Sequence, residues 1–170
     1  MHRPLRHPES GATILEAVFA GALIALFLAA IFETNARNVQ LLKTGKESFA
    51  ATTLLEERLE QVRSGKWIDI TSAAYLQQIL AQPPSSGSQL PAVSEQISVS
   101  AYPAAAKPAA SNTATRSAGG VVAITSSNAA LAAQALVRVD LRVAWAGTPR
   151  GRPRVREVST IVADRGLITR

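Results

Sequence analysis

The stretch GATILEAVFAGALIALFLAAIF occupies residues 11–32 and determines how the rest of the chain is interpreted. Within residues 12–32 the only formal charge is Glu16, and alanine and the large aliphatic and aromatic residues make up almost all the rest. At a rise of about 1.5 Å per residue, a helix of this length reaches roughly 30 Å, the thickness of the hydrocarbon core of a bilayer. The sequence therefore predicts a helix that spans a membrane.

The residues before this helix are basic. Arg3 and Arg6 are accompanied by only one acid, Glu9. Because positive charge keeps the adjoining end of a membrane helix in the cytoplasm, we expect a cytoplasmic N-terminus and an extracytoplasmic chain beyond the helix.

Three simple interpretations compete for residues 12–32: a cleaved secretory signal, an uncleaved single-pass anchor, and a buried helix of a soluble protein. A soluble core helix rarely stays apolar on every face over this length. A secretory signal ordinarily has a shorter apolar run than this one and does not explain a carboxylate within it. The uncleaved anchor, presenting a periplasmic binding head, remains the main alternative to the interpretation below.

Glu16 needs a partner, because a carboxylate inside hydrocarbon costs on the order of a few kcal/mol. Ala12, one helical turn earlier, would carry a positive α-amine if the chain were cut just before it. This amine and Glu16 of the same chain belong to one rigid helix, so they cannot pair comfortably. The amine could pair with Glu16 of a neighbouring helix shifted along the axis, which suggests that such helices stack.

The motif GATILE at residues 11–16 follows a short basic leader and opens the apolar helix. In this arrangement it resembles the type III signal of type IV pilins and type II secretion pseudopilins. The resemblance implies that a prepilin peptidase cuts after Gly11 and methylates the new terminus at Ala12. Residues 1–11 would then be a cytoplasmic leader that is removed.

The resemblance also assigns roles within the helix. It implies that Glu16 guides filament assembly, and Thr13 matches a frequent residue of the family. Many major pilins carry a proline within the helix, whereas this chain has none between Pro8 and Pro83. The absence favours a minor pilin or a pseudopilin.

A subunit of this kind would be structural and would need no cofactor. The resemblance implies that it assembles through its helix into a type IV pilus or a type II secretion pseudopilus, which it would initiate or cap. Its partners would be other pilin or pseudopilin subunits, the prepilin peptidase, the inner-membrane assembly platform and the lipid bilayer. It would sit in the inner membrane before it enters the filament. The implied fold is pilin-like and α+β, with a long N-terminal helix on a small antiparallel sheet.

Few residues suited to catalysis remain after removal of the leader. The chain has no cysteine, and its two histidines lie at positions 2 and 7. A mature chain without either residue cannot hold a Ser-His triad, a Cys-His pair or an imidazole-zinc site. The acids Glu95, Asp140, Glu157 and Asp164 are too scattered to predict a carboxylate pair or a calcium loop. We therefore expect no enzyme activity and no bound metal.

Residues 33–64 continue the helix as an amphipathic half, and Gly65 is expected to cap it. Leu55, Leu59 and Val62 follow i, i+4, i+7 spacing and predict an apolar face that packs on the head. Charged residues at the other positions predict a solvent-exposed surface: Glu56, Glu57, Arg58, Glu60 and Arg63.

The head comprises residues 65–170. Its pattern predicts a short helix over 72–82 and a strand at about 97–101. Residues 103–120 are rich in alanine, serine, threonine and proline and have almost no large apolar side chain. Such a segment buries too little surface to order itself, so we expect a flexible insertion there.

The end of the chain predicts a β-hairpin. Apolar and polar residues alternate over 137–145, and a glycine- and proline-rich loop separates this strand from a second one at 155–163. With Trp145 before the loop, the hairpin resembles the C-terminal hairpin of I-type minor pseudopilins and pilus-modification minor pilins.

Four arginines alternate through this loop into the second strand and would share one face of an extended chain: Arg150, Arg152, Arg154 and Arg156. Together with the net charge of +6, they raise the possibility of a phosphate-binding strip for DNA. No aromatic residue is interleaved, which argues against nucleic acid as a partner. The alternatives are a solvated edge that discourages aggregation and a contact with an acidic neighbouring subunit.

Overall fold

The computed structural model describes residues 12–84, 89–103, 110–148 and 151–164. Helices and one antiparallel sheet confirm the α+β class. The elements, in chain order, are α1 (Ala12–Arg63), α2 (Trp67–Ile70), α3 (Ala73–Ala81), β1 (Ser94–Ala101), β2 (Ser111–Arg116), β3 (Val122–Ser126), a 3₁₀ helix (Ala129–Ala133), β4 (Leu136–Gly147) and β5 (Arg152–Ala163).

The chain divides into two compact units, Met1–Leu42 and Lys43–Arg170. Helix α1 contributes to both, since it continues without a break from Ala12 to Arg63. The absence of proline from this stretch explains its continuity, because a proline would remove a backbone donor and clash with the preceding turn. In the first unit, α1 is the only described element, while the second contains all five strands.

The sheet of the second unit has the strand order β3-β2-β1-β4-β5, and every pairing is antiparallel. The predicted hairpin is confirmed, because β4 pairs with β5 along its whole length. Along β4, the side chains of one face are buried in the core: Val137, Val139, Leu141, Val143 and Trp145. The other face carries Arg138, Asp140 and Arg142, as the alternation predicted.

One hydrophobic core joins this face of the sheet to the helices. Leu55 and Val62 of α1 are buried in it, and Leu59 is half-buried against it. Helix α3 supplies Leu76 and Leu80 to the same core. Helix α1 therefore provides a large part of the apolar surface that the sheet needs.

The expected flexible insertion over 103–120 is wrong for Ser111–Arg116, which form β2 in the interior of the sheet. This strand has no large apolar residue, so its sequence gives no hydrophobic signal. Its order comes from neighbours on both sides and from buried Asn112, which donates to the carbonyl of Thr71 and accepts from the backbone N–H of Asn128. A buried side-chain amide whose hydrogen bonds are all made can hold a strand in place even where the strand has no large apolar side chain.

The expected solvent-exposed surface on α1 is wrong for Arg58, whose side chain is only 1% exposed. Its Nε donates to Oε2 of Glu95 at 2.7 Å, and Nη1 donates to Oε1 of Gln61 at 2.8 Å. The remaining donors reach the carbonyls of Ile79 at 2.9 Å and Gln82 at 2.7 Å. One guanidinium thus connects α1, the end of α3 and β1.

The two carbonyls explain why a charge is tolerated in this position. The last turn of a helix leaves carbonyl groups without intrahelical partners and carries partial negative charge. Arg58 supplies donors to that end of α3, and Glu95 supplies the compensating carboxylate on β1. Arg116 adds a second contact to Glu95 at 3.2 Å.

Gly65 follows the end of α1, but its role differs from the expected cap. Among the described glycines only Gly120 and Gly151 have a positive φ, so Gly65 does not adopt the left-handed conformation of a capping glycine. A Cβ at Gly65 would lie 2.7 Å from the hydroxyl oxygen of Tyr75. That hydroxyl donates to the carbonyl of Gln61 at 3.0 Å, so the glycine makes room for a tyrosine that closes the helix end.

We expect Arg58→Met to destabilise the protein by about 3–5 kcal/mol, because it leaves the buried Glu95 with only Arg116 as a counter-charge and removes the donors to the carbonyls of Ile79 and Gln82. Urea unfolding of the full chain in neutral detergent, followed by tryptophan fluorescence, measures the loss. Arg138→Met is the matched control, since the Arg138 side chain is 50% exposed in its ion pair with Asp140, and we expect it to cost less than about 1 kcal/mol. Equal losses in the two variants would contradict a stabilising role for the buried Arg58.

Candidate functional site: an exposed apolar helix and an arginine strip

The first candidate site is the surface of α1 within the unit Met1–Leu42. Its apolar stretch has a mean hydropathy of 2.5 over its best window, and none of that window is buried. By length and composition, this helix could cross a membrane. The exposed large apolar side chains of this stretch are Ile14, Leu15, Val18, Phe19, Leu23, Ile24, Leu26, Phe27, Leu28, Ile31 and Phe32.

Such a surface is unstable in water, because burial of apolar area is the dominant favourable contribution to folding and association. It therefore requires lipid or another protein around it. The apolar stretch ends at Phe32, and directly after it Glu33 and Arg37 form an i, i+4 ion pair on the same helix. After Glu16, Glu33 is the next charge along the chain.

Glu16 is exposed on this apolar helix. It makes no hydrogen bond or ion pair with any of the residues that the structure describes. Helix α1 begins at Ala12, so this position lies one turn before Glu16. The predicted processing residue Gly11 lies outside the described residues, as do the leader 1–11 and the side chains of Ala12 and Thr13.

The second candidate site is the arginine strip, which we define as Arg152, Arg154 and Arg156. All three belong to β5, and Arg150 lies outside the described residues. Their partners in β4 are Gly147, Trp145 and Val143, so the strip shares the sheet face that α1 covers. The structure thus brings these three arginines together on one face.

Two of the arginines reach from β5 to α1. Arg154 donates to the carbonyl of Thr148 at 3.1 Å and to the hydroxyl of Thr44 at 3.5 Å. Its stem lies so close to Gly147 that a Cβ there would come within 2.3 Å of Nε. Arg156 donates to the hydroxyl of Ser48. Part of the strip therefore holds the hairpin against the helix.

Glu47 lies beside Arg154 and is 7% exposed. It accepts hydrogen bonds from the indole Nε1 of Trp145 at 3.4 Å and from the backbone N–H and the hydroxyl of Thr148. Burial acts to raise the pKa of Glu47, but the hydrogen bonds from Thr148 and Trp145 and the charge of Arg154 together lower it below its ordinary value. Sequence analysis missed this residue, since a single glutamate in a polar stretch gives no signal.

Three of the four acids considered for chemistry form ion pairs with arginines. Glu95 pairs with Arg58 and Arg116, Asp140 pairs with Arg138, and Glu157 pairs with Arg142 at 3.4 Å. Within the described parts of the chain, no group of three histidine, cysteine or acidic residues could hold a metal ion.

No protein-family model, no curated protein and no solved structure matches this chain. The described residues establish an α+β protein with one helix that is long and apolar enough to cross a membrane. They also establish a head with a strip of arginines on its last strand.

We expect the stability difference between the wild type and Glu47→Gln to shrink as the pH falls. Because the folded-state pKa is lowered, the Glu47 carboxylate contributes stability that is present above its ordinary pKa of about 4.3. This contribution is lost as the pH falls through the folded-state value. Urea midpoints of the full chain in neutral detergent, compared at neutral pH and in acid, provide the measurement.

Glu157→Gln is the control for this experiment, since Glu157 is exposed on the opposite face of the sheet and pairs with Arg142. It should show a much smaller pH-dependent difference. A Glu47→Gln effect that stays constant from neutral to acidic pH would contradict the role assigned to the Glu47 carboxylate.

Proposed function

We propose that this protein is a minor pilin or pseudopilin that assembles through α1 into a type IV pilus or a type II secretion pseudopilus. One observation carries the proposal: the described part of α1 exposes apolar side chains all round over its apolar stretch, together with a single carboxylate, Glu16, that has no partner among the described residues. The motif at 11–16 and the basic leader support the same assignment.

The carboxylate distinguishes filament assembly from simple anchoring. A plain anchor gains nothing from Glu16, which costs on the order of a few kcal/mol in hydrocarbon. Cleavage after Gly11 would create a positive amine at Ala12. In a stack of staggered helices, that amine can neutralise Glu16 of a neighbour. Because the unpaired Glu16 carboxylate is costly in the membrane, this pairing favours transfer of the subunit from the membrane into the filament.

Small residues support close packing between such helices. Ala17, Gly21, Ala25 and Ala29 recur every four positions and therefore share one side of α1. A Cβ placed on Gly21 meets nothing within 4 Å in the isolated chain, so the chain's own packing does not require this glycine. Small residues at this spacing let neighbouring helices approach closely.

Before assembly, the protein would be held in the inner membrane with its N-terminus in the cytoplasm and its head in the periplasm. The head would then select neighbouring subunits or cargo, and the absence of proline from α1 favours a subunit that initiates or caps the filament. The prepilin peptidase, the assembly platform and other pilin or pseudopilin subunits are the proposed partners. The protein would act mechanically, without catalysis or a cofactor.

The alternative is an uncleaved single-pass anchor that presents the head as a binding module. It uses the same apolar helix and the same positive flank. It differs in two respects that can be measured, because it keeps the leader and has no filament partners.

We expect the protein recovered from membranes of its host to begin at methylated Ala12. N-terminal sequencing and intact mass measure this directly. A start at Met1 would favour the uncleaved anchor, and a start beyond Phe32 would indicate a secreted head without a filament helix. Gly11→Leu is the matched variant, and we expect it to accumulate as the uncut precursor.

We expect Glu16→Ala to be inserted and processed normally but to fall at least about tenfold in the filament fraction, because the neighbour's amine loses its partner. Glu33→Ala removes a carboxylate from the same helix just outside the apolar stretch and should assemble like the wild type. Quantitative immunoblots of membranes and sheared or extracted filaments give both values. Normal incorporation of Glu16→Ala would count against the assembly role.

A further inference from the structure

The two edges of the sheet differ in how they are protected from further pairing. Strand β3 forms one edge, is only 5 residues long, and its pairing with β2 contains a register shift between Thr113 and Ala114. Short strands and irregular pairing are among the usual means of blocking an edge, as are prolines and charged side chains, which β5 carries at Pro153 and in the arginine strip. Strand β5 forms the other edge, has 12 residues, and pairs with β4 in continuous register from Arg152 to Ala163.

The side of β5 that faces away from β4 has no partner strand among the described residues. Apart from Pro153, which has no N–H, β5 carries backbone N–H and C=O groups along its length, and the outward-facing ones are a template for another strand. An anion alone, such as a phosphate, can accept from the N–H groups but cannot donate to the C=O groups. An extended peptide satisfies both, so the edge is suited to a peptide rather than to a nucleic acid or a lipid headgroup.

The side chains along β5 divide into two halves on the face that α1 covers. The first half is the arginine strip. The second half carries Val158, Thr160 and Val162. Leu55 and Leu59 of α1 line a groove together with Val158, and the polar residues Thr52, Glu56, Arg156 and Glu157 complete its lining. The second half therefore borders a groove with an apolar part.

Within the described residues, the arginines of the strip form no ion pair with a carboxylate, although the charge of Arg154 acts on nearby Glu47. Arg58 and Arg116 meet Glu95, and Arg142 meets Glu157. By contrast, Arg154 and Arg156 donate to neutral oxygens of Thr44, Thr148 and Ser48.

Arg152 completes this pattern, since it is exposed and forms no hydrogen bond or ion pair with the described residues. Cations held at alternate positions on one strand face are matched by carboxylates at alternate positions on an adjacent strand. The strip therefore favours a partner whose acidic side chains have the same two-residue spacing.

We infer that the free edge of β5 binds an extended acidic segment of another protein, which adds to the sheet as a sixth, antiparallel strand. Antiparallel addition continues the pattern of the sheet and places the segment's N-terminal half opposite Val158 and Val162. Apolar residues at alternate positions fit this half. Acidic residues at alternate positions in the C-terminal half meet the arginine strip. The inference does not depend on the proposed function, because a strand can be added whether or not α1 enters a filament.

The test uses the full chain in neutral detergent and a fluorescent peptide with alternate valines in its N-terminal half and alternate glutamates in its C-terminal half. We expect saturable binding that weakens as salt is added. The same peptide with lysine in place of glutamate is the charge control and should bind at least about tenfold more weakly.

Two N-methylated peptides test for strand addition itself. Only every second N–H group of an added strand points towards β5. One peptide is methylated at these inward N–H groups and should lose binding, and the other is methylated at the outward N–H groups and should bind nearly unchanged. Contact through side chains alone predicts equal binding of the two methylated peptides, and that result would overturn the inference.

The arginines are tested with the double variant Arg152→Glu and Arg156→Glu, in which Arg154 is kept because its side chain packs against Gly147. We expect peptide affinity to fall at least about tenfold with an unchanged circular dichroism spectrum. The double variant Arg138→Glu and Arg142→Glu makes the same change in net charge on the opposite face of the sheet and should retain most of the affinity. Equal losses in the two double variants would contradict the inference.

Two further probes identify other classes of partner. Anionic phospholipid vesicles and single-stranded DNA are titrated under the same conditions. The inference is supported if the peptide binds, if only methylation of its inward N–H groups abolishes binding, and if only the double variant of the strip loses affinity. Binding of vesicles or DNA to the strip with no saturable peptide binding would overturn it, as would no binding of any of the three.

Discussion

The head depends on how one buried positive charge is satisfied. Arg58 projects from α1 into the core, where its donors reach Glu95 of β1 and the carbonyls of Ile79 and Gln82 at the end of α3. Hydrophobic contacts alone would let the helix slide along the sheet at little cost, because they are non-directional. A guanidinium with fixed donor directions is satisfied in only one register. The Arg58 contacts therefore define where α1, α3 and the sheet meet.

A second polar contact fixes the other part of the same interface. Glu47 joins α1 to Trp145 and Thr148 at the end of β4, and Arg154 closes the contact from β5. Together with Arg58, it gives α1 two separate polar connections to the sheet within the unit Lys43–Arg170.

Two surfaces of the protein remain unsatisfied in the isolated chain, and they differ in chemistry. The apolar part of α1 needs lipid or helices and carries one carboxylate, Glu16, for which the isolated chain supplies no described partner. The free edge of β5 has no partner strand among the described residues and carries positive side chains.

The sequence by itself determined the elements whose signals are local. The apolar run 12–32 and the alternation at 137–145 fix a long helix and a core strand, because periodicity depends only on the order of residues along the chain. Only the tertiary structure decided that Arg58 and Glu47 are buried and that residues 111–116 form strand β2. Arg58 and Glu47 look like surface residues in a helix pattern, and their burial depends on partners far along the chain, Glu95 and Thr148. Strand β2 has no hydrophobic signal and is ordered by β1, β3 and the buried amide of Asn112. Long-range pairing of this kind is not encoded in any single stretch, so only the folded chain reveals it.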